Sequence, residues 1–233
     1  MLTVLTATGS RPDAFALCKR WMARQTYAGA VRWIVVDDGE IPQQIDQDFR
    51  EGWTISHIRR EPYWRQGQNT QAANLLCGLE CVDRDDSLIV VEDDDWYAVD
   101  WLEHAEAQLC HASLVGEKRS RYYNVNTRRW KQFNNEYHAS LCATAMRGDA
   151  INALRKSCEL RKTFIDMRLW RAWSDKRLFD GHRVVGIKGM PGRAGIGVGH
   201  KENALRGECD PRGDLLREWV GADAETYIGM ANG

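Results

Sequence analysis

The stretch Ser87-Leu88-Ile89-Val90-Val91-Glu92-Asp93-Asp94-Asp95-Trp96-Tyr97 sets an unbroken aliphatic run directly before four carboxylates. Leu-Ile-Val-Val without a polar interruption reads as a strand covered on both faces, as in a parallel sheet. Four adjacent like charges repel one another, and burial raises carboxyl pKa values, so the cluster needs a compensating cation. Mg2+ or Mn2+ fits that need, since both take oxygen ligands and bind through one or two carboxylates together with substrate phosphates. A solvated acidic turn is the plainer alternative, but such turns seldom sit at the end of an apolar strand.

Working outward, the first half alternates apolar runs with amphipathic segments. Residues 2–6 read as a strand, closed by the turn signal Gly9-Ser10-Arg11-Pro12. Residues 13–27 suit a helix, with Phe15, Leu17, Trp21 and Met22 set among charges. Residues 31–36 form a second strand ending in Asp37-Asp38-Gly39, and residues 53–58 a third. Helices are expected over 68–82 and 99–114, on either side of the acidic strand. This β-α-β-β-α-β-α order predicts an α/β fold, an open and mostly parallel sheet with helices on both faces. Ligands of such sheets bind beyond the carboxyl ends of the strands. Three strands here end in polar residues: Thr8–Arg11, Asp37-Asp38 and Glu92–Asp95.

The second half is less regular. Strands are expected over 119–125, 141–146 and 183–187, and helices over 148–158 and 164–174. Residues 186–199 carry six glycines and are expected to form a mobile loop.

Composition sets the outer bounds. At 233 residues the chain fits one domain. Its 32 Lys and Arg nearly cancel its 33 Asp and Glu, so no global field argues for nucleic acid or membrane. The first residues lack the basic and apolar regions of a signal peptide, and no apolar run approaches the roughly 20 residues that cross a bilayer. Seven cysteines without a CxxC pair argue against a zinc site or a disulfide framework and for reduced core thiols in a cytoplasm.

The acidic strand end resembles the DxD region of family 2-like GT-A glycosyltransferases, in which an apolar strand runs into D-x-D-D and an aromatic pair. Glu92 occupies the first acidic position, Asp94 the second and Asp95 the following one; Glu at the first position departs from the pattern. Thr6-Ala7-Thr8-Gly9-Ser10-Arg11-Pro12 resembles the family's first nucleotide-binding loop. Val35-Val36-Asp37-Asp38-Gly39 resembles its V-D-D-G-S segment, and Gln68-Asn69-Thr70-Gln71-Ala72-Ala73-Asn74 its G-x-N-x-A-R-N helix start, with Ala73 where Arg is usual. The likeness covers residues 2–103. It implies a single Rossmann-like GT-A domain over 1–233, with a nucleotide-sugar-binding half to about 115 and an acceptor half with a lid loop after it. It implies donor contacts from Thr8, Gly9, Arg11, Asp37, Asp38, Asn69, Asp93, Lys188 and Arg193, with a UDP-sugar favoured. It implies Mn2+ or Mg2+ at the acidic turn, with Asp94 as a ligand alone or together with Asp93, Asp95 or the irregular Glu92, and His200 either completing the metal shell or contacting phosphate. The charge of a leaving diphosphate adds Arg65 and Lys201 as candidate cations.

In the second half, Asp166 of Phe164-Ile165-Asp166 stands where inverting members carry their general base, although Ile165 replaces the usual Glu. His138 is a second catalytic candidate, in a stretch that resembles an acceptor-side strand. The segment 118–131 interleaves Lys118, Arg119, Arg121, Arg128, Arg129 and Lys131 with Tyr122, Tyr123 and Trp130. Basic residues beside stacking aromatics are what a nucleic-acid groove needs; a solvated β-hairpin is the plainer reading. Arg128, Arg129, Trp130 and Tyr97 are therefore acceptor candidates, with a hydroxymethylated DNA base, as glycosylated by phage-encoded enzymes, one possible acceptor. A nucleotidyltransferase acting on a sugar phosphate and a non-catalytic nucleotide or nucleic-acid binding module are the competing functions.

Overall fold

The computed structural model describes residues 1–61, 64–65, 70–160, 163–193, 195, 200 and 205–230. Strand β1 (Leu2–Thr8) leads to helix α1 (Pro12–Ala23), followed by β2 (Val31–Asp37) and β3 (Trp53–Arg59). Helix α2 (Gln71–Leu79) precedes β4 (Ser87–Val90), the strand that carries the acidic turn. Next come β5 (Trp96–Tyr97), α3 (Trp101–Gln108) and β6 (Leu114–Glu117), then the hairpin strands β7 (Arg121–Asn124) and β8 (Arg129–Gln132). The chain continues through β9 (Thr144–Arg147), α4 (Asp149–Glu159), α5 (Ile165–Ala172), β10 (Lys176–Phe179) and β11 (Val184–Lys188). It closes with β12 (Glu208–Cys209), α6 (Asp214–Val220) and α7 (Ala224–Met230).

Seven strands form the main sheet in the order β10-β6-β9-β4-β1-β2-β3. Only β9 runs against its neighbours β4 and β6, so the sheet is mostly parallel as expected. Successive strand residues feed opposite faces. Val4, Trp33, Val35 and Ile89 join the core under α1, α3, α6 and α7. Leu5, Ile34, Val36, Leu88 and Val90 join the one under α2, α4 and α5. Burial on both faces is why these strands read as continuous apolar runs. A second sheet, β12-β8-β7-β11-β5, stands beside the first and is joined to it by the acidic turn.

The expected elements need several corrections. The helix expected over 99–114 ends at Gln108, and its last residue instead opens β6. The region 164–174 is helical only to Ala172, and the unanticipated β10 follows. The strand expected over 141–146 begins as a 3-10 turn at Leu141–Ala143. Gly186 lies inside β11, so the glycine-rich segment does not begin as a loop. A Cβ at Gly186 would stand 2.5 Å from the Tyr122 ring, so glycine here serves close strand packing. Helices α6 and α7 had no counterpart in the sequence reading. All seven cysteines are free; Cys18, Cys142 and Cys158 are buried as expected, but Cys110 and Cys209 are exposed. Among the described residues, no helix is long and apolar enough to cross a membrane.

Candidate functional site

Strand order reverses between β1 and β4: the chain builds β1, β2 and β3 to one side, then crosses to the other. Ligands of open sheets bind at this switch point, outside the carboxyl ends of the strands. The loop after β1 and the acidic turn after β4 therefore meet by topology. A cavity of about 590 Å3 opens there, lined by Thr8, Gly9, Arg11, Glu92, Asp93 and Asp94 on one side and by Tyr122, His138 and Asp166 on the other.

The loop is built to reach the acids. Ser10 adopts a left-handed backbone (φ 54°), which turns the chain so that Arg11 faces β4. Arg11 Nη1 donates to Asp93 Oδ1 at 2.8 Å and Nη2 to Asp94 Oδ2 at 2.5 Å, while Thr8 Oγ1 donates to Asp93 Oδ2 at 2.7 Å. Gly9 is required by crowding: a Cβ there would lie 2.0 Å from Asp38 Oδ1 and 2.9 Å from the Gly39 nitrogen. From the far side, β11 delivers Lys188, whose buried Nζ sits 3.2 Å from Asp95 Oδ1 and 3.7 Å from Asp94 Oδ2. Arg193 Nη2 donates to Asp38 Oδ1 at 2.5 Å, and its guanidinium lies 5.6 Å from the Trp64 ring.

The four acids thus have different environments. Burial alone would raise Asp94, but Arg11 and Lys188 overcome it and hold its carboxyl well below the usual range. Glu92, buried and beside Asp95, is pushed up to about 8, with Gln71 Nε2 donating to it at 2.9 Å. Burial also raises Asp95, to about 6, against the pull of Lys188. His200 Nε2 lies 3.8 Å from Asp94 Oδ2, and burial beside Lys188 drives its pKa down to about 3, so the ring is neutral.

Of the residues singled out in sequence, Thr8, Gly9, Arg11, Glu92, Asp93, Asp94, His138, Asp166, Lys188, Arg193 and His200 converge on this cavity. Asp38 is buried directly behind Gly9 and Arg193, with Oδ2 buried and unpartnered. Asp37 does not reach the cavity. Its carboxylate accepts from the Gly39 and Gln43 nitrogens (2.9 and 2.8 Å) and from Arg59, which makes it the pivot of the turn after β2. Asp95 is not among the lining residues: its Oδ1 accepts from the Ile187 nitrogen at 2.9 Å and ties β11 to the acidic turn, while Asp95, Glu92 and Cys142 bring three potential metal-ligand atoms within 4.8 Å of one another. Tyr97 is fully buried, with its hydroxyl on the Glu92 nitrogen at 2.8 Å, so it supports the acids from below and reaches no acceptor. Asn69 and Lys201 lie outside the described residues. Ala73, where an Arg was expected, borders a separate shallow groove with Arg60, not this cavity.

The basic segment forms the β7–β8 hairpin. Arg128 Nη1 donates to the Pro211 carbonyl at 2.6 Å and Arg129 Nη1 to the Gly207 carbonyl at 2.9 Å. Trp130 packs edge-on against Trp219, ring centroids 5.6 Å apart. These three pin the C-terminal segment and do not line the cavity. Sequence reading missed Phe133 and Asn135, which do line it. They come from an irregular stretch without periodicity, where an aromatic before Asn134-Asn135 was the only cue.

No protein-family model matches this sequence. No curated protein matches it either. Among solved structures it is similar to S. aureus TarS, with a TM-score of 0.57 at 13% identity over 80% of this chain and 37% of TarS. TarS 1–349 in complex with UDP gives 0.55 at 14% identity, covering 80% of this chain and 60% of that one. The complex with UDP-GlcNAc gives 0.56 at 14% identity, covering 100% of this chain and 72% of that one. This chain therefore spans about three-fifths or less of the first two. At such identity the likeness carries the fold, and the fold is of the GT-A type.

Proposed function

We propose that this chain is a glycosyltransferase that moves a sugar from a nucleotide-sugar donor, a UDP-sugar in the first instance, to an acceptor hydroxyl with the help of a divalent metal. The observation that carries this reading is the meeting of Arg11, Lys188 and Asp94 at the switch point between β1 and β4. Support for UDP comes from TarS, whose structures with UDP and UDP-GlcNAc share the fold. The proposed organisation is one domain over 1–233, with residues to about 115 binding the donor and the remainder the acceptor.

The donor set fits a metal. Asp94 and the neutral His200, whose Nε2 lies 3.8 Å from Asp94 Oδ2, would hold the ion. Carboxylate suits Mg2+ and Mn2+, and an imidazole partner favours Mn2+ of the two. Glu92 is the third candidate ligand. When bound, the metal neutralises the diphosphate that leaves as the glycosidic bond breaks. Arg11 and Lys188 add fixed positive charge beside it, which costs no reorganisation during the reaction. Asp38 with Arg193, beside Trp64, is assigned to the nucleotide. Asp166 accepts the proton of the acceptor hydroxyl; burial raises its pKa, and a more basic carboxylate is a better proton acceptor. His138 lines the same wall.

Isothermal titration with UDP, with and without Mn2+, tests the reading. Metal-dependent binding is expected, and its absence from the intact protein would sink the proposal.

A further inference from the structure

The acceptor side of the cavity differs in chemistry from the donor side. Among the described lining residues the only cations are Arg11, Lys188 and Arg193, and each is paired with Asp93, Asp94, Asp95 or Asp38. Among the described residues, the ionisable groups that line the acceptor wall are Asp166, His138 and Tyr122. Lys131 lies over the Phe133 ring at 4.8 Å but does not line the cavity. Among the described lining residues no further Lys or Arg stands beside Asp166. Arg168 donates to the Thr163 carbonyl at 2.7 Å and does not line the cavity, so a phosphate-bearing acceptor would meet the Asp166 carboxylate without a lining cation to pair with.

What the wall offers instead is hydroxyls and rings. Ser140 Oγ lies 2.7 Å from both Ser120 Oγ and Tyr122 OH. Three hydroxyls share two links, so at least one O–H proton has no acceptor within the cluster and is free for a ligand. Asn135 locks the group in place: Nδ2 donates to Ser120 Oγ and to the His138 carbonyl, both at 2.9 Å, and Oδ1 accepts from the Ser120 nitrogen at 2.8 Å. Phe133 stands edge-on to Tyr122, centroids 5.4 Å apart at 87°. Phe164 faces the same cavity with 53% of its surface exposed and a left-handed backbone (φ 62°). A bulky residue there is an outlier, and the fold tolerates both its strain and its exposed apolar ring.

We infer that this wall is an acceptor subsite for an uncharged, hydroxyl-rich ring, a glycosyl residue whose C–H face packs on Phe164 and Phe133 and whose hydroxyls meet the Ser120–Ser140–Tyr122 cluster. The reading of the cavity as a transferase site gives this subsite its purpose; the subsite's own chemistry can be tested without a donor. Saturation-transfer NMR with methyl glucopyranoside, galactopyranoside and N-acetylglucosaminide is the probe, beside a hydroxymethylated-pyrimidine oligonucleotide. At least one pyranoside is expected to bind, with affinity falling about tenfold or more in Phe164→Gly and in Ser120→Ala. The melting temperature of Phe164→Gly is expected not to fall, because glycine relieves the left-handed strain, and this separates a lost contact from a damaged fold. No pyranoside binding, binding indifferent to Phe164→Gly, or salt-sensitive oligonucleotide binding that Phe164→Gly abolishes would each overturn the inference. UDP titration on the same samples keeps the two readings apart. Pyranoside binding without UDP binding defeats only the donor proposal, and UDP binding without pyranoside binding defeats only this one.

Discussion

Asp94 is the residue on which the site turns, and its surroundings differ from those of its three neighbours. Arg11 and Lys188 hold its carboxyl well below the usual range, while burial raises those of Glu92, Asp93 and Asp95. The sequence run of four acids therefore conceals a division of labour. Asp94 lines the cavity between Arg11 and Lys188, Asp93 holds Thr8 and Arg11, Asp95 holds β11, and Glu92 rests on Gln71. Replacing Asp94 with Asn keeps the shape and removes the charge. The Mn2+-dependent part of UDP affinity should then fall by about tenfold or more, measured by titration with and without the ion. A second titratable group lies away from the cavity. Glu117 is buried at the end of β6 with both oxygens near the Arg183 nitrogen (3.1 and 3.0 Å), and burial pushes its carboxyl up to about 7. A raised carboxyl pKa means that the folded state holds the proton more tightly than the unfolded chain does. Stability is therefore lost as pH rises from about 4.5 to about 7, and stays lower above that. Glu117→Gln keeps an acceptor for the Arg183 nitrogen without the charge. It should be more stable than the parent at pH 8 by about 2–3 kcal/mol and near parity at pH 4.5, as read from urea unfolding at the two pH values.

At the scale of elements, the loop after β1 and the segment after β11 act as a pair. Gly9 lets Asp38 and Arg193 approach the loop, and the Arg193 nitrogen donates to the Ser10 carbonyl at 3.1 Å. Gly9→Ala drives a methyl group into Asp38 Oδ1 and the Gly39 backbone. The expected cost is about 1–3 kcal/mol, with a melting temperature lower by about 2–4 °C per kcal/mol. UDP affinity should fall with it, since Arg11 is carried by the same turn. A variant that melts and binds like the parent would show that the crowding is relieved elsewhere. Elements without a period of their own were the ones misread. β6 and β10 are four-residue strands at the end of the sheet, too short to separate from the helices beside them. The basic hairpin shows the converse problem. Its composition fits a nucleic-acid groove, yet Arg128 and Arg129 bond to backbone carbonyls of a segment some 80 residues away, which no local pattern reveals.

Across the whole molecule, the C-terminal helices complete the core under α1. Asp223 accepts from Trp96 Nε1 at 2.8 Å and pairs with Arg24 at 2.6 Å, and Trp21 Nε1 donates to the Tyr227 hydroxyl at 3.0 Å. Trp96 belongs to β5, immediately after the acidic turn, so the turn that leads into α7 also braces the candidate site from behind. Asp223→Ala leaves the Trp96 N–H without its partner and Arg24 without its charge; a loss of about 2–3 kcal/mol is expected, seen as a melting temperature lower by about 4–12 °C. Should Asp223→Ala melt like the parent, α7 would be packed on the core without being held there by this carboxylate. The sequence by itself determined the mostly parallel sheet and the edge at which its candidate site lies. Strands buried on both faces must be continuously apolar, and the polar residues that end them must gather at one sheet edge. Which acids face the cavity, where the basic hairpin's charges go, and that Ser120, Phe133, Asn135 and Phe164 share one wall were decided by tertiary structure alone. Each depends on a contact between residues far apart in the chain, and such contacts leave no period or spacing in the sequence.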